Sequence, residues 1–141
     1  MNHLSACRLL RLAAGVVLFC GAVVLPGCGR REGTQYDLSG TVTFDGQPVP
    51  AGQILFVPDT SKGNSGPAAA VPIREGKYDT RSANRGTVGG PHVVTITGFD
   101  GKPDPDAELP EGRMLFSDHR IEVDLPTKTS TLDFAVPATA Q

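Results

Sequence analysis

The sequence contains no tryptophan, and aromatic residues make up only 6% of its 141 residues. Tryptophan is the usual platform for stacking a sugar ring, so its absence argues against a site of that kind. The aromatic side chains at alternating positions of predicted strands are expected in a hydrophobic core instead. These residues are Phe44, Phe56, Tyr78, Phe116 and Phe134.

Long apolar runs are also lacking. The longest apolar run, residues 12–25, carries no charge. It follows Arg8 and Arg11 and ends before Pro26-Gly27. A membrane-spanning helix needs about 20 apolar residues, so this stretch is too short to be one. A basic flank, an apolar stretch and a small-residue end are typical of a secretory signal.

Cysteine is scarce, with Cys7, Cys20 and Cys28 the only three. Leu25-Pro26-Gly27-Cys28 resembles the cleavage motif of a bacterial lipoprotein signal peptide, although Pro26 departs from the small or branched residue usual there. The resemblance implies cleavage between Gly27 and Cys28 and a diacylglyceryl group on Cys28. Cys28 would then be the only mature cysteine, which excludes an intramolecular disulfide. An incidental thiol after an ordinary cleavage site, or an uncleaved anchor, remains the alternative.

The chain is therefore divided into a signal peptide (1–27), a polar flexible tether (28–36), one domain (37–137) and a short tail (138–141). In proteobacterial lipoproteins, Asp after the lipidated cysteine favours retention in the inner membrane. Gly29 occupies that position, which favours the outer membrane.

Positive charge is in short supply as well. Cleavage before Cys28 would remove Arg8 and Arg11, leaving 11 basic against 15 acidic residues. The remaining basic residues are dispersed, apart from Arg30-Arg31. Nucleic-acid binding depends on clustered Lys and Arg, so a nucleic-acid partner is not expected.

What the domain has is alternating hydrophobicity, many β-branched residues and frequent Gly and Pro, which predict short strands. Only residues 108–116 could hold a helical turn, and Pro110 and Gly112 disfavour it. This pattern predicts an all-β domain without substantial helix, an antiparallel Greek-key β-sandwich of about seven strands. The expected strands are 38–44, 53–57, 68–73, 77–80, 92–97, 120–125 and 130–136.

The opening of the domain, Leu38-Ser-Gly-Thr-Val-Thr-Phe-Asp-Gly-Gln-Pro-Val-Pro-Ala-Gly52, resembles a carboxypeptidase regulatory-like, or transthyretin-like, domain. Arg74-Glu-Gly-Lys-Tyr78 is similar to the family's strand-turn-Gly-x-Tyr hairpin. At 90–96 the order Gly-Pro is reversed and His92 replaces an aromatic residue. With the signal segment, the chain resembles small exported lipoproteins of planctomycete bacteria. The resemblance implies a fold and an accessory role without shared catalytic residues.

Few residues suggest chemistry. His92 and His119 are interpreted as surface residues at strand ends, and Ser117-Asp118-His119 is a chance order of triad residue types, because neighbours in sequence cannot form a triad. Asp100, Asp104 and Asp106 are weak Ca²⁺ candidates, but the prolines between them depart from the known Ca²⁺ loop. We therefore expect neither a metal site nor a cofactor.

The sequence favours a non-enzymatic, lipid-anchored module of the cell envelope that contacts the membrane through its anchor and binds an envelope protein or glycan. The alternative is binding of a small ligand, a glycan or Ca²⁺ by loops at the ends of the sandwich. These loops are residues 63–67, 81–91 and 100–112.

Overall fold

The computed structural model describes residues 34–139, which form an all-β domain. Apart from strands, this part of the chain contains three single turns of 3₁₀-helix and no α-helix. No helix within these residues is long and apolar enough to cross a membrane. The predicted all-β class is confirmed.

Most of the strands form one antiparallel sheet that is curled into a half-barrel, with the order β2-β1-β5-β4-β3-β6-β7. The short strands β8 and β9 pair with β1 outside this order. The strands are β1 (Leu38–Phe44), β2 (Gln47–Pro48), β3 (Ala51–Pro58), β4 (Ala69–Arg74), β5 (Lys77–Asp79), β6 (Gly90–Phe99), β7 (Met114–Leu125), β8 (Ser130–Thr131) and β9 (Phe134–Val136).

Strand β1 changes partners along its length. Its first half pairs with β5 and β8, and its second half pairs with β2 and β9. Both β8 and β9 run parallel to β1, which corrects the prediction of one antiparallel strand over residues 130–136. The strand is interrupted because the Asp133 carboxylate, and not a backbone carbonyl, accepts the N–H of Thr41 at 2.7 Å.

The core lies on the inner face of the curled sheet. The rings of Phe56, Tyr78 and Phe134 pack against one another with centroids 5.7–6.2 Å apart. Phe116 stacks on the half-buried Phe44 at 4.9 Å. Burial of each large apolar side chain contributes about 1.5–3 kcal/mol, so the alternating aromatic residues stabilise the core as predicted.

Strand β7 begins at Met114, six residues before the predicted start at Arg120. Its pairing with β6 shifts register between Ile96 and Gly98. Opposite this shift Asp118 has a φ of 51°, in the left-handed region. This bulge at 117–118 interrupts the period-two pattern on which strand prediction depends. Residues 108–116, where a helical turn was considered and disfavoured, contain no helix, and Met114 already belongs to the strand.

Candidate functional site

A shallow cleft of about 690 Å³ lies on the outer face of β1, β4 and β5. In these strands successive side chains point to opposite faces. Pairing of β1 with β5 sets Ser39 opposite Asp79 and Thr41 opposite Lys77, and Lys77 is also opposite Arg74 of β4. The pairing therefore brings hydroxyl, carboxylate and cationic side chains to one surface.

The two carboxylates of the cleft are held by fixed donors. The Asp133 carboxylate accepts the backbone N–H of Thr41 and its hydroxyl at 2.8 Å, which lowers the pKa of Asp133. Arg81 donates to both carboxylate oxygens of Asp79 and thereby lowers the pKa of Asp79. Both groups carry a negative charge at neutral pH and are engaged in local structure.

Two cations of the cleft lack such partners. Within residues 34–139 the ion pairs join Lys62 to Asp59 and Glu122, and Arg81 to Asp79. Arg74 and Lys77 are exposed and make none of these pairs. The cleft thus offers two unpaired cations beside the hydroxyls of Ser39 and Thr41, a combination suited to an anionic or polyhydroxylated ligand.

One wall of the cleft depends on a close approach at Gly40. A Cβ atom at this position would overlap the carbonyl oxygen of Leu132. The same carbonyl accepts a 2.7 Å hydrogen bond from the Tyr78 hydroxyl, and burial raises the pKa of Tyr78. Gly40 and Tyr78 therefore hold the segment between β8 and β9 against β1.

The acidic loop does not assemble a cation site. Asp100 accepts the backbone N–H groups of Lys102 and Arg113, at 3.0 and 2.9 Å. Asp104 caps the 3₁₀ turn Pro105–Ala107, and Asp106 lies inside that turn. In the part of the chain that the structure describes, no three His, Cys, Asp or Glu side chains are placed to share a metal ion. Of the Ca²⁺ candidates, Asp100 and Asp104 thus accept backbone N–H groups of their own loop, and Asp106 is an exposed residue within it.

The three loops considered for ligand binding do not lie together. Asn64 donates to the carbonyls of Gly89 and Pro91 at 2.9 and 2.7 Å, which joins loop 63–67 to loop 81–91. Loop 100–112 follows Phe99, at the end of β6 opposite to His92, as the register with β3 shows. A single ligand site made from all three loops is therefore excluded by their placement.

His92 corrects the sequence interpretation. Its side chain is 1% exposed, and its Nδ1 lies 2.9 Å from the carbonyl of Gly90. The Nε2 atom is buried without a hydrogen-bond partner among the described residues. His92 faces inward because it alternates with Val94 and Ile96 on the core face of β6. His119 is half-exposed and lies opposite Ile96, so the two histidines do not form one site.

The residues Gly27 and Cys28, predicted at the cleavage and lipidation site, lie outside the described residues. Arg74 and Lys77 were not predicted as site residues. Alternation with Tyr78 indicates that Lys77 points outward, but the sequence does not reveal that β5 pairs with β1 and so places Lys77 beside Thr41. No family model, curated protein or solved structure matches the chain.

Proposed function

We propose that the protein is a lipid-anchored module of the bacterial cell envelope, attached through Cys28, with the outer membrane as its location. The observation that carries the proposal is the position of Cys28 at the end of the apolar segment and seven residues before Gln35. Gln35 accepts the N–H of Gly86, and Tyr36 pairs with Thr87. A span of seven residues covers at most about 25 Å, so such an anchor would hold the domain close to a membrane.

The proposed fold family is the carboxypeptidase regulatory-like β-sandwich. Residues 74–78, similar to that family's hairpin, form the β4–β5 turn, with Gly76 at a φ of 75°. Tyr78 of this hairpin is a core residue. The partner change along β1 also supports the proposal, because strands that contribute to two layers are common in β-sandwiches.

The proposed role is binding and not catalysis, with an envelope protein or glycan as the partner. The proposal is supported by the structural roles of five acidic side chains, which hold turns and strands in place. Asp59, Asp79 and Asp104 cap 3₁₀ turns, and Asp100 and Asp133 accept backbone N–H groups. Carboxylates fixed in this way support the surface loops and strands that a binding module presents.

The anchor is tested by labelling cells with an alkyne fatty acid. Cys28→Ala should abolish the label and release the protein into the soluble fraction, whereas Cys20→Ala should leave both unchanged because Cys20 lies in the segment to be removed. Label that persists in Cys28→Ala would refute the anchor. Cross-linking of the intact anchored protein in cells then tests whether one envelope partner recurs.

A second candidate function is binding of an anionic glycan in the cleft, favoured by the unpaired Arg74 and Lys77. An oligogalacturonate should raise the melting temperature, and a neutral malto-oligosaccharide should not. Arg74→Ala/Lys77→Ala should weaken binding at least about tenfold, since each charge-assisted bond contributes roughly 1.5–3 kcal/mol. Lys102→Ala/Arg113→Ala removes the same charge elsewhere and should bind normally. Equal binding by both double variants would exclude the cleft.

A further inference from the structure

The long edge of the sheet at β7 has no partner strand within residues 34–139. β7 ends the strand order and pairs only with β6 across its 12 residues. The other strands at the margins of the sheet, β2, β8 and β9, have only two or three residues each. An edge strand presents unpaired backbone N–H and C=O groups that can accept a further strand. Of the described strands, β7 is the one long enough to do so.

The bulge defines which part of this edge is regular. Because the register shifts at residues 117–118, only residues 119–125 form an uninterrupted edge. Along it the exposed Arg120, Glu122 and Asp124 alternate with half-buried side chains on the inner face. Ile121 and Val123 of that inner face pack against the margin of the core. A strand added here would cover apolar surface that the sheet leaves half-exposed.

We propose that the occupant of this edge is β7 of a second copy of the chain, paired antiparallel about a two-fold axis at Ile121. Pairing about a two-fold axis sets residues of the same face opposite each other. With Ile121 opposite its own copy, Arg120 lies opposite Glu122 of the second copy, and this pair occurs twice. Arg120 has no ion-pair partner among the described residues. Glu122 is 68% exposed in its side chain and accepts from Lys62 through Oε2 at 2.6 Å, which leaves its Oε1 atom for Arg120 of the second copy.

Neighbouring registers are disfavoured by charge. Centring the pair on Arg120 would set Arg120 against its own copy, and centring it on Val123 would set Glu122 against Asp124 twice. Centring it on Glu122 would form two Arg120–Asp124 pairs but would set Glu122 directly against its own copy. Opposite charges across antiparallel strands are stabilising, and like charges are destabilising. Within the regular edge 119–125, the register centred on Ile121 is therefore the one of these that forms opposite-charge pairs and no like-charge pair; Asp124 faces only the bulged Asp118. This inference rests on the domain alone and does not depend on the lipid anchor.

Cysteine cross-linking of the full-length protein in membranes tests the register. Directly opposed residues of an antiparallel pair have Cα atoms about 4.5–5.5 Å apart, within the range of a disulfide. Ile121→Cys should give a disulfide-linked dimer under mild oxidation. Glu122→Cys alone should give no such dimer, and neither should the unchanged chain. When Arg120→Cys and Glu122→Cys are co-expressed, the two variants should cross-link to each other. Monomers throughout, or cross-linking of Glu122→Cys to itself, would overturn the proposal.

Charge reversal supplies an independent test. Arg120→Glu should raise the dissociation constant of the detergent-solubilised dimer at least about tenfold, because both cross-strand pairs become repulsive. Arg120→Glu/Glu122→Arg restores opposite charges and should restore association measured by sedimentation velocity. A dissociation constant that is unchanged in both variants would refute this interface. A double variant that stays monomeric would refute the charge pairing.

Discussion

The Tyr78 hydroxyl donates a 2.7 Å hydrogen bond to the Leu132 carbonyl, although 54 residues separate the two in sequence. This bond connects the β4–β5 hairpin to the segment between β8 and β9. The ring of Tyr78 packs in the core while its oxygen reaches the last part of the sheet. Tyr78 therefore links the position of the segment between β8 and β9 to the packing of the core.

Tyr78→Phe should lower the free energy of unfolding by about 1–2 kcal/mol, because the Leu132 carbonyl loses its donor while the ring stays in place. Urea denaturation measures the loss. Tyr36→Phe removes a hydroxyl from a half-exposed side chain and should change stability by less than about 0.5 kcal/mol. Equal effects of the two substitutions would show that the hydrogen bond is not the cause.

Gly40→Ala should destabilise the domain by about 3 kcal/mol or more, since the new methyl group overlaps the Leu132 carbonyl and forces the backbone apart. Gly46→Ala is the matched control. Nothing lies within 4 Å of a Cβ at Gly46, and only its φ of 73° opposes the change, at a cost of about 1 kcal/mol. Thermal unfolding followed by circular dichroism distinguishes the two. A smaller loss at Gly40 than at Gly46 would contradict the steric account.

Acid should weaken the contact between β1 and β9 through Asp133. Its pKa in the folded protein lies below the ordinary value of 3.8, because Thr41 donates to the carboxylate. A lowered pKa means that the folded state binds the proton less tightly than the unfolded state. The stabilisation is therefore present above the ordinary value and is lost as the pH falls through the folded pKa.

Asp133→Asn should accordingly lower the melting temperature at about pH 6, and this deficit should shrink as the pH falls through the lowered pKa of Asp133. Asp106→Asn removes the same charge from an exposed position and should alter the melting temperature little across this pH range. Melting curves across this range provide the measurement. A deficit for Asp133→Asn that is equally large in acid would contradict the role of the charge.

Chemical modification should separate the two histidines of the domain. His92 is 1% exposed, whereas His119 is half-exposed. Diethyl pyrocarbonate should therefore modify His119 readily in the folded protein and His92 only after unfolding in urea. Peptide mass spectrometry resolves the two sites. Rapid modification of His92 under native conditions would show that its strand opens locally.

The strands that form hairpins or carry uninterrupted alternation were predictable, because their signals are local. Residues 38–44 have the predicted bounds, and the β4–β5 turn falls at Glu75-Gly76 as expected. The start of β7 was missed because the bulge at Asp118 inverts the alternation. The burial of His92 was missed because the residue was assigned to the surface by its polar type, although its alternation with Val94 and Ile96 indicates the core face. The cleft depends on pairing between β1 and β5, which a single sequence does not specify.

The parallel pairing of β9 with β1 has a consequence for the order of folding. On one side the Val42-Thr43-Phe44 segment pairs with the nearby β2, but its neighbour on the other side, Phe134-Ala135-Val136, follows about ninety residues later. Contacts of such large sequence separation form late, because the entropy of closing the intervening loop must be overcome first. The nascent chain therefore leaves β1 without this neighbour until residues 134–136 have been synthesised. Such a delay keeps the polypeptide unfolded for longer, which is the state that the proposed export would require.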